Sequence, residues 1–255
     1  MRFRYLAAAA LLAVAPALVV AQESAAALVA AGDSAYNALQ VAPALAGYEA
    51  AIAADSLHYE ALWKAARSAV DLAEYEGDAG KKQALFEQSE RLARRAVEVN
   101  PNDAEGHFAM ARALGRVALT KGARDRVKYG TQVRASALRA LELHPDHPGA
   151  LHVLGRWNAE VMRLSGFTRF FARNLLGGKV LGEASWANAR QHMERAVEVD
   201  PDRLVHHLGL AEIYLDIDED EKAREQLTLV VDGPVRDFND PHYKREAAAL
   251  LEKLK

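Results

Sequence analysis

RAVEVNP at residues 95–101, RALELHP at 139–145 and RAVEVDP at 195–201 are one phrase written three times. A weaker copy, AAIAADS, occupies residues 50–56, with Ser56 where the others have proline. Each copy carries an alanine five residues before its end: Ala51, Ala96, Ala140 and Ala196. Ten residues after each end stands another small residue, Ala66, Ala111, Gly155 or Ala211, preceded by Ala65, Met110, Leu154 or Leu210. Self-similarity on this scale is the mark of a repeat architecture, and it decides the fold before any local motif does.

The chemistry of the phrase explains how it folds. Proline disfavours helix in the residue before it and starts the next helix well, so each Asn-Pro, His-Pro or Asp-Pro ends one helix and opens another. Small residues on facing helices allow close approach, and the apolar residues beside them fill the seam. One helix pair cannot bury its own apolar face, so pairs stack into a solenoid.

The spacing adds detail. Ala51 to Ala96 is 45 residues, Ala96 to Ala140 is 44, and Ala140 to Ala196 is 56. The next equivalent, Val230 in KAREQLTLVV, follows after only 34, the period of the simplest helix-pair repeat. The excess over 34 is thus 11, 10, 22 and 0. Eleven residues is about three turns, which lengthens a helix pair without rotating its buried face. The middle units are expected to have long helices, and the third interval to carry a second excess of the same size on top of that. Helices are predicted near 25–39, 42–54, 57–76, 81–99, 103–120, 124–143, 147–164, 184–199, 203–217, 219–231 and 241–254, with a short one near 167–176. There is no strand pattern. The expected fold is all-α: a helical-hairpin solenoid of about five pairs with long helices, a short inserted helix and a C-terminal capping helix.

Composition agrees. The 255 residues are 51% apolar and 26% charged with a net charge of -3, neither disordered nor basic enough to suggest a nucleic-acid partner. The N-terminus stands apart: Arg2 and Arg4 precede an unbroken apolar run over 6–20, and Val19 and Ala21 satisfy the small-residue cleavage rule. The run is short for a spanning helix. Residues 1–21 are therefore expected to be a cleaved signal peptide, the alternative being an uncleaved anchor. Residues 22–255 are expected to form the solenoid, with unit junctions near 56, 101, 145 and 201 and an insertion at 165–182. The product would be exported, to the periplasm or beyond, with no transmembrane segment after cleavage. The chain has no cysteine, so neither a lipoprotein anchor nor a disulfide is available to it.

The small residues in the first helix of each pair, the alanines in the second and the terminal proline are tetratricopeptide features. LHVLGRW at 151–157, Glu160-Val161, the aromatic-basic insertion after Leu164 and the following AVEVDPDRLVHHLGLAEIYLD are more particular. They resemble the regulator of microtubule dynamics family over roughly residues 80–255, most strongly over 140–215. The resemblance implies a non-enzymatic, all-helical protein; in that family the domain is linked to microtubules, organelle contacts and lipid handling. An exported chain would not meet a microtubule, so the fold carries over more safely than the biology.

Candidate site residues fall in two places. His107, His152 and His207 lie six or seven residues after a unit ending, on successive first helices. They either line the concave groove or serve as structural positions, each bonded to a neighbour. Adjacent helices about 10 Å apart rarely bring three imidazoles onto one ion, so no metal is expected. The second place is RLSGFTRFFARNLLGGKVLG, residues 163–182. Phe167, Phe170, Phe171 and Leu175 share one helical face, Arg169 and Arg173 lie off it, Gly177 is placed to stop the helix, and Gly178 frees the chain that follows. This segment either packs its rings inside the solenoid, walls an apolar pocket for an acyl chain, or lies on a membrane or partner; Trp157 and Trp186 flank it. Asp216, Asp218 and Asp220 imitate a calcium loop, but Glu221 and Leu227 stand where glycine and glutamate are required. No nucleophile, phosphate-loop or metal-protease motif occurs, and no cofactor is expected. The first reading is a binding scaffold whose groove takes a peptide or protein. The alternative is lipid or amphipath binding beside residues 165–180, and an enzyme of unknown type is the weakest reading.

Overall fold

The computed structural model describes residues 25–175 and 178–254, without the side chains of Phe167, Phe171, Arg173 and Leu175. The expected leader and the stop assigned to Gly177 lie outside the described residues. The chain forms α1 (25–37), α2 (Val41–Ala54), α3 (Tyr59–Glu74), α4 (Ala79–Val99), α5 (Ala104–Leu119), α6 (Ala123–Leu143), α7 (Pro148–Arg163), α8 (Gly166–Leu175), a 3-10 turn (Lys179–Glu183), α9 (Trp186–Val199), α10 (Leu204–Asp216), α11 (Asp220–Asp232) and α12 (Asp240–Lys253). Among the described residues there is no strand. The architecture is an all-α solenoid: α3 packs on α4, α5 on α6, α7 on α9 and α10 on α11, while α3, α5, α7 and α10 lie side by side.

The core is built from the small residues of the repeat. Ala61, Ala65, Ala66, Ala69 and Ala73 of α3 are buried, as are Ala93 and Ala96 of α4. Their lack of bulk lets the axes approach to the close end of helix packing, and larger chains such as Leu62, Leu114, Leu154 and Met193 fill the spaces between pairs. Ser89 enters this seam by donating its hydroxyl to the Ala66 carbonyl at 2.8 Å. A Cβ on Gly155 would stand 3.0 Å from Met193 Cε and 3.2 Å from the Ala189 carbonyl, so α7 and α9 meet here more closely than a side chain would comfortably permit.

Helix lengths account for the spacing. The last full pair has helices of 13 and 13 residues. The two middle pairs have first helices of 16 and second helices of 21. The extra residues are thus shared unequally, with more of them in the second helix than in the first. The third interval has its helices close to the predicted 184–199 and 167–176 but distributes its excess differently from the middle units. Its second helix, α9, has only 14 residues, yet 179–199 spans the same length as α4 and α6. The 3-10 turn occupies the place where a long second helix would begin, and the helix is broken at Ala184-Ser185. Asn158 explains how the break is tolerated: its Oδ1 accepts the Ser185 N–H at 3.2 Å while its Nδ2 donates to the Leu154 carbonyl at 2.8 Å. Ser185 then caps α9 by accepting the Asn188 N–H at 3.1 Å. The rest of the excess in this interval is α8 and its connections. Gly178 folds this segment back on itself, its N–H donating to the Ala172 carbonyl of α8 at 3.0 Å. A Cβ there would stand 2.7 Å from Val127 and 2.9 Å from that carbonyl.

The C-terminal helix α12 covers the apolar faces of α10 and α11 with Tyr243, Ala247, Leu250, Leu251 and Leu254. It also reaches Tyr75 at the end of α3. An early helix pair and the C-terminal cap of the array therefore meet.

Candidate functional site

The residue immediately after each small packing residue is Arg67, Arg112, Arg156 and Glu212. Four residues on stand Asp71, Arg116, Glu160 and Asp216. Because i and i+4 share a helical face, these two rows run along the inner face of α3, α5, α7 and α10. They interlock. Arg112 meets Asp71 at 2.6 Å and Glu74 at 3.6 Å, and Arg116 also pairs with Glu74, joining α5 to α3. Arg156 pairs with Glu212, and Arg163 meets Asp216 at 2.6 Å, joining α7 to α10. Tyr36 of α1 donates to Asp71 at 2.8 Å, and the Arg67 guanidinium lies 3.7 Å over its ring. Burial opposes the charge of Arg112, but Asp71 and Glu74 outweigh it and push its pKa up. Burial and the adjacent Asp71 carboxylate push the Tyr36 phenol up, so it stays a donor.

The segment before and at the start of α12 lies across this face. Arg203 meets Asp237 at 2.9 Å. Asn239 is fully buried and directs its Nδ2 to the Asp71 carbonyl at 3.4 Å. His242 stacks on Tyr75 with centroids 3.6 Å apart and planes at 12°, and the Tyr75 hydroxyl donates to Glu246 at 3.1 Å. Asp240 holds the turn itself, accepting the N–H groups of Arg236 and Asp237 at 2.8 and 2.7 Å. Burial raises the pKa of its carboxyl, with those two N–H groups acting in the opposite sense.

The three candidate histidines part company. His107 and His207, each six residues after a unit ending, turn back to the carbonyl of that ending: Nε2 lies 2.9 Å from Pro101 O and 2.8 Å from Pro201 O. His207 also meets Gln226 at 2.7 Å. His152 instead faces His206, Nδ1 to Nδ1 at 3.1 Å, one nitrogen donating to the other. Burial, then the Arg203 charge, pushes His206 down to about 3. Burial, then His206 and Arg156, holds His152 well below the imidazole range. Among the described residues no group of three or more His, Asp or Glu is arranged to hold a metal.

The insertion splits in the same way. Ala172 is buried with Leu114, Val133, Val161, Leu181 and Trp157. Trp157 is itself core, its indole N–H donating to the Gly130 carbonyl at 2.8 Å. Phe170 points outward, 60% exposed, on the rim of an open pocket of about 330 Å³ bounded also by Met162, Arg169, Asn174 and Leu181. Arg169 leans on the Met162 sulfur at 2.8 Å. Phe167, Phe171 and Arg173 have side chains outside the described set. The arginine row and the C-terminal segment escaped the sequence reading. Three of the arginines were findable, since Arg67, Arg112 and Arg156 sit one place after small residues that define the repeat.

Taken together, the stacked helix pairs and their small-residue seams define a tetratricopeptide-like solenoid. The profile of the Regulator of microtubule dynamics protein 1-3 family matches residues 25–255, and the chain belongs to that family. The match extends well upstream of residue 80, where the resemblance seen in the sequence began. Regulator of microtubule dynamics protein 1 of Bos taurus is 27% identical over 155 residues, 60% of this chain and 48% of that protein. Protein 3 of Rattus norvegicus is 24% identical over 148 residues, 58% of this chain and 31% of it. The chain thus matches less than half the length of these relatives. Among solved structures, a thermophilic tetratricopeptide protein of Thermus thermophilus has a TM-score of 0.60 at 18% identity, covering 88% of this chain and 99% of that one. The pilF protein of Pseudomonas aeruginosa has a TM-score of 0.53 at 14% identity, covering 91% and 90%. These likenesses establish the fold.

Proposed function

We propose that this protein is a non-enzymatic binding scaffold that holds a peptide or protein partner along its inner face, and that it works after export, with residues 1–21 removed. The observation that carries the reading is the double row of arginines and carboxylates along α3, α5, α7 and α10. Such a ladder offers a partner's backbone and side chains donors and acceptors in a fixed array, and mixed charge selects partners by complementarity. No helix among the described residues is long and apolar enough to cross a membrane. Photo-crosslinkers placed at Arg116 or Arg156, compared with one at the outward-facing Leu229, test the site in native cells. Inner positions should capture one discrete species that the outer position misses; equal capture from both faces would refute the reading. Sequencing of the mature N-terminus checks export, since a chain still beginning at Met1 contradicts cleavage.

The pocket beside α8 favours a second reading, a lipid or other amphipath. Its volume is at the lower end of small-molecule sites, and Met162, Phe170 and Leu181 give it an apolar lining with Arg169 at its edge. Purified protein would then carry extractable lipid that Phe170→Asp removes; a clean organic extract discards the idea.

A further inference from the structure

The inner face already holds a peptide, and it is the protein's own. Residues 235–246 run across the groove from α10 to α3, held by four contacts that are polar or stacked: Arg203 to Asp237, Asn239 to the Asp71 carbonyl, His242 on Tyr75, and Tyr75 to Glu246. These contacts join residues up to 171 positions apart in sequence. The second half of α12 has an anchorage of its own. It rests on the apolar contacts of Ala247, Leu250, Leu251 and Leu254 with α10 and α11, whereas Tyr243 belongs to the strap and packs edge-on against Tyr75. The strap can therefore leave α3 while the second half of α12 keeps its apolar footing.

A register comparison shows that Arg203 is specialised for this contact. Two residues after the unit endings stand His58, Asp103, His147 and Arg203. The first three cap their helices, accepting the N–H of Ala61, Glu105 and Ala150. Arg203 has no acceptor to offer, makes no cap, and reaches Asp237 instead. A general helix-starting position has been turned into a carboxylate receptor facing the groove. Tyr75, on the far side of the groove, offers a ring face and a phenol donor, and Asp71 offers a backbone carbonyl.

We propose that segment 235–246 is a removable occupant of this seat, and that the seat receives an acidic, aromatic-bearing peptide segment of a partner by displacing it. The proposal rests on the reading of the inner face as a partner site and names the chemistry of that partner. A carboxylate replaces Asp237 on Arg203, a ring replaces His242 on Tyr75, and an amide donor replaces Asn239 at the Asp71 carbonyl. A tethered strap competes at an effective concentration on the order of millimolar. It therefore lowers the partner's apparent affinity by the fraction of time the seat is covered.

The test uses a fluorescent peptide of this chain's own residues 233–246 added in trans to the full protein, with binding read by anisotropy. His242→Ala with Glu246→Ala removes two contacts at the surface and leaves no buried charge behind. This variant should bind the peptide at least tenfold more tightly than the unaltered protein, and adding Arg203→Ala should abolish the gain. Asp237→Ala provides a second release variant should the first melt early. Unchanged or absent peptide binding in both release variants, with melting curves confirming folded protein, overturns the proposal. Inner-face crosslinking with no gain in peptide binding would leave the scaffold reading standing and remove only the strap. Peptide binding without inner-face crosslinking would do the reverse.

Discussion

His152 and His206 meet Nδ1 to Nδ1 at 3.1 Å, with Arg203 and Arg156 among the charges that bear on them. Both are neutral when the chain is folded, because burial and neighbouring guanidinium groups depress their pKa values, that of His206 to about 3. In the unfolded chain each imidazole titrates near 6.5. Below that pH the unfolded state takes up protons that the folded state refuses, so stability falls as pH drops from about 6.5 towards 3. The slope is up to about 1.4 kcal/mol per pH unit for each such imidazole. His206→Gln removes one of the two titrations. Urea midpoints measured between pH 6.5 and 4.5 should then fall less steeply than in the unaltered protein, and an identical slope would show that the pair is not the source. His107 and His207 are different: each answers the carbonyl of its own unit ending, which fastens a junction rather than lining a groove.

At the level of the element, the interrupted second helix of the third unit is the informative one. Residues 179–199 have the length of α4 and α6 but not their continuity. A break inside a helix frees backbone groups that must find partners, and here Asn158 and Ser185 supply them. Removing the Ser185 hydroxyl should cost about 1 kcal/mol, the usual worth of an N-cap. Asn158→Leu should cost more, since the Ser185 N–H would be left facing an apolar group. Thermal or urea unfolding of Ser185→Ala and Asn158→Leu checks the order; a harmless Asn158→Leu would mean that the break is set by α8 alone. The same unit carries α8 outward, which is why Phe170 reaches the surface while Ala172 is buried. The aromatic stretch at 167–171 therefore has at least one ring outside the core, an outcome that helical periodicity alone leaves open.

On the scale of the whole molecule, the meeting of α3 with the C-terminal segment closes the array. Asp71 lies at the centre of that closure: it accepts from Tyr36 on α1, pairs with Arg112 on α5, and its carbonyl faces Asn239. Removing the cation from a buried pair is far costlier than removing both partners, because a lone buried carboxylate is left behind. Arg112→Met alone should destabilise by about 3–5 kcal/mol. Adding Asp71→Leu should restore a large part of the loss. A double-mutant cycle with no coupling between these positions would show that the inner ladder does not tie α3 to α5.

The repeat phrase, the junction prolines and the excess over the simplest repeat period determine, from sequence alone, that the protein is a solenoid of helix pairs and where its long helices lie. They do so because helix start, helix stop and close packing are local demands met by residue types at fixed offsets. Even part of the arginine ladder is implicit there, with Arg67, Arg112 and Arg156 one place after three of the four small residues. Tertiary structure alone decided the rest. Which histidine of a His-His pair faces its neighbour depends on the packing angle between α7 and α10. Whether the groove stands open or is crossed by residues 235–246 depends on the accumulated twist of the stack, which brings Tyr75 and His242 together from distant parts of the chain. A small rotation at each repeat is invisible in any single unit. Summed along the array, it sets the site.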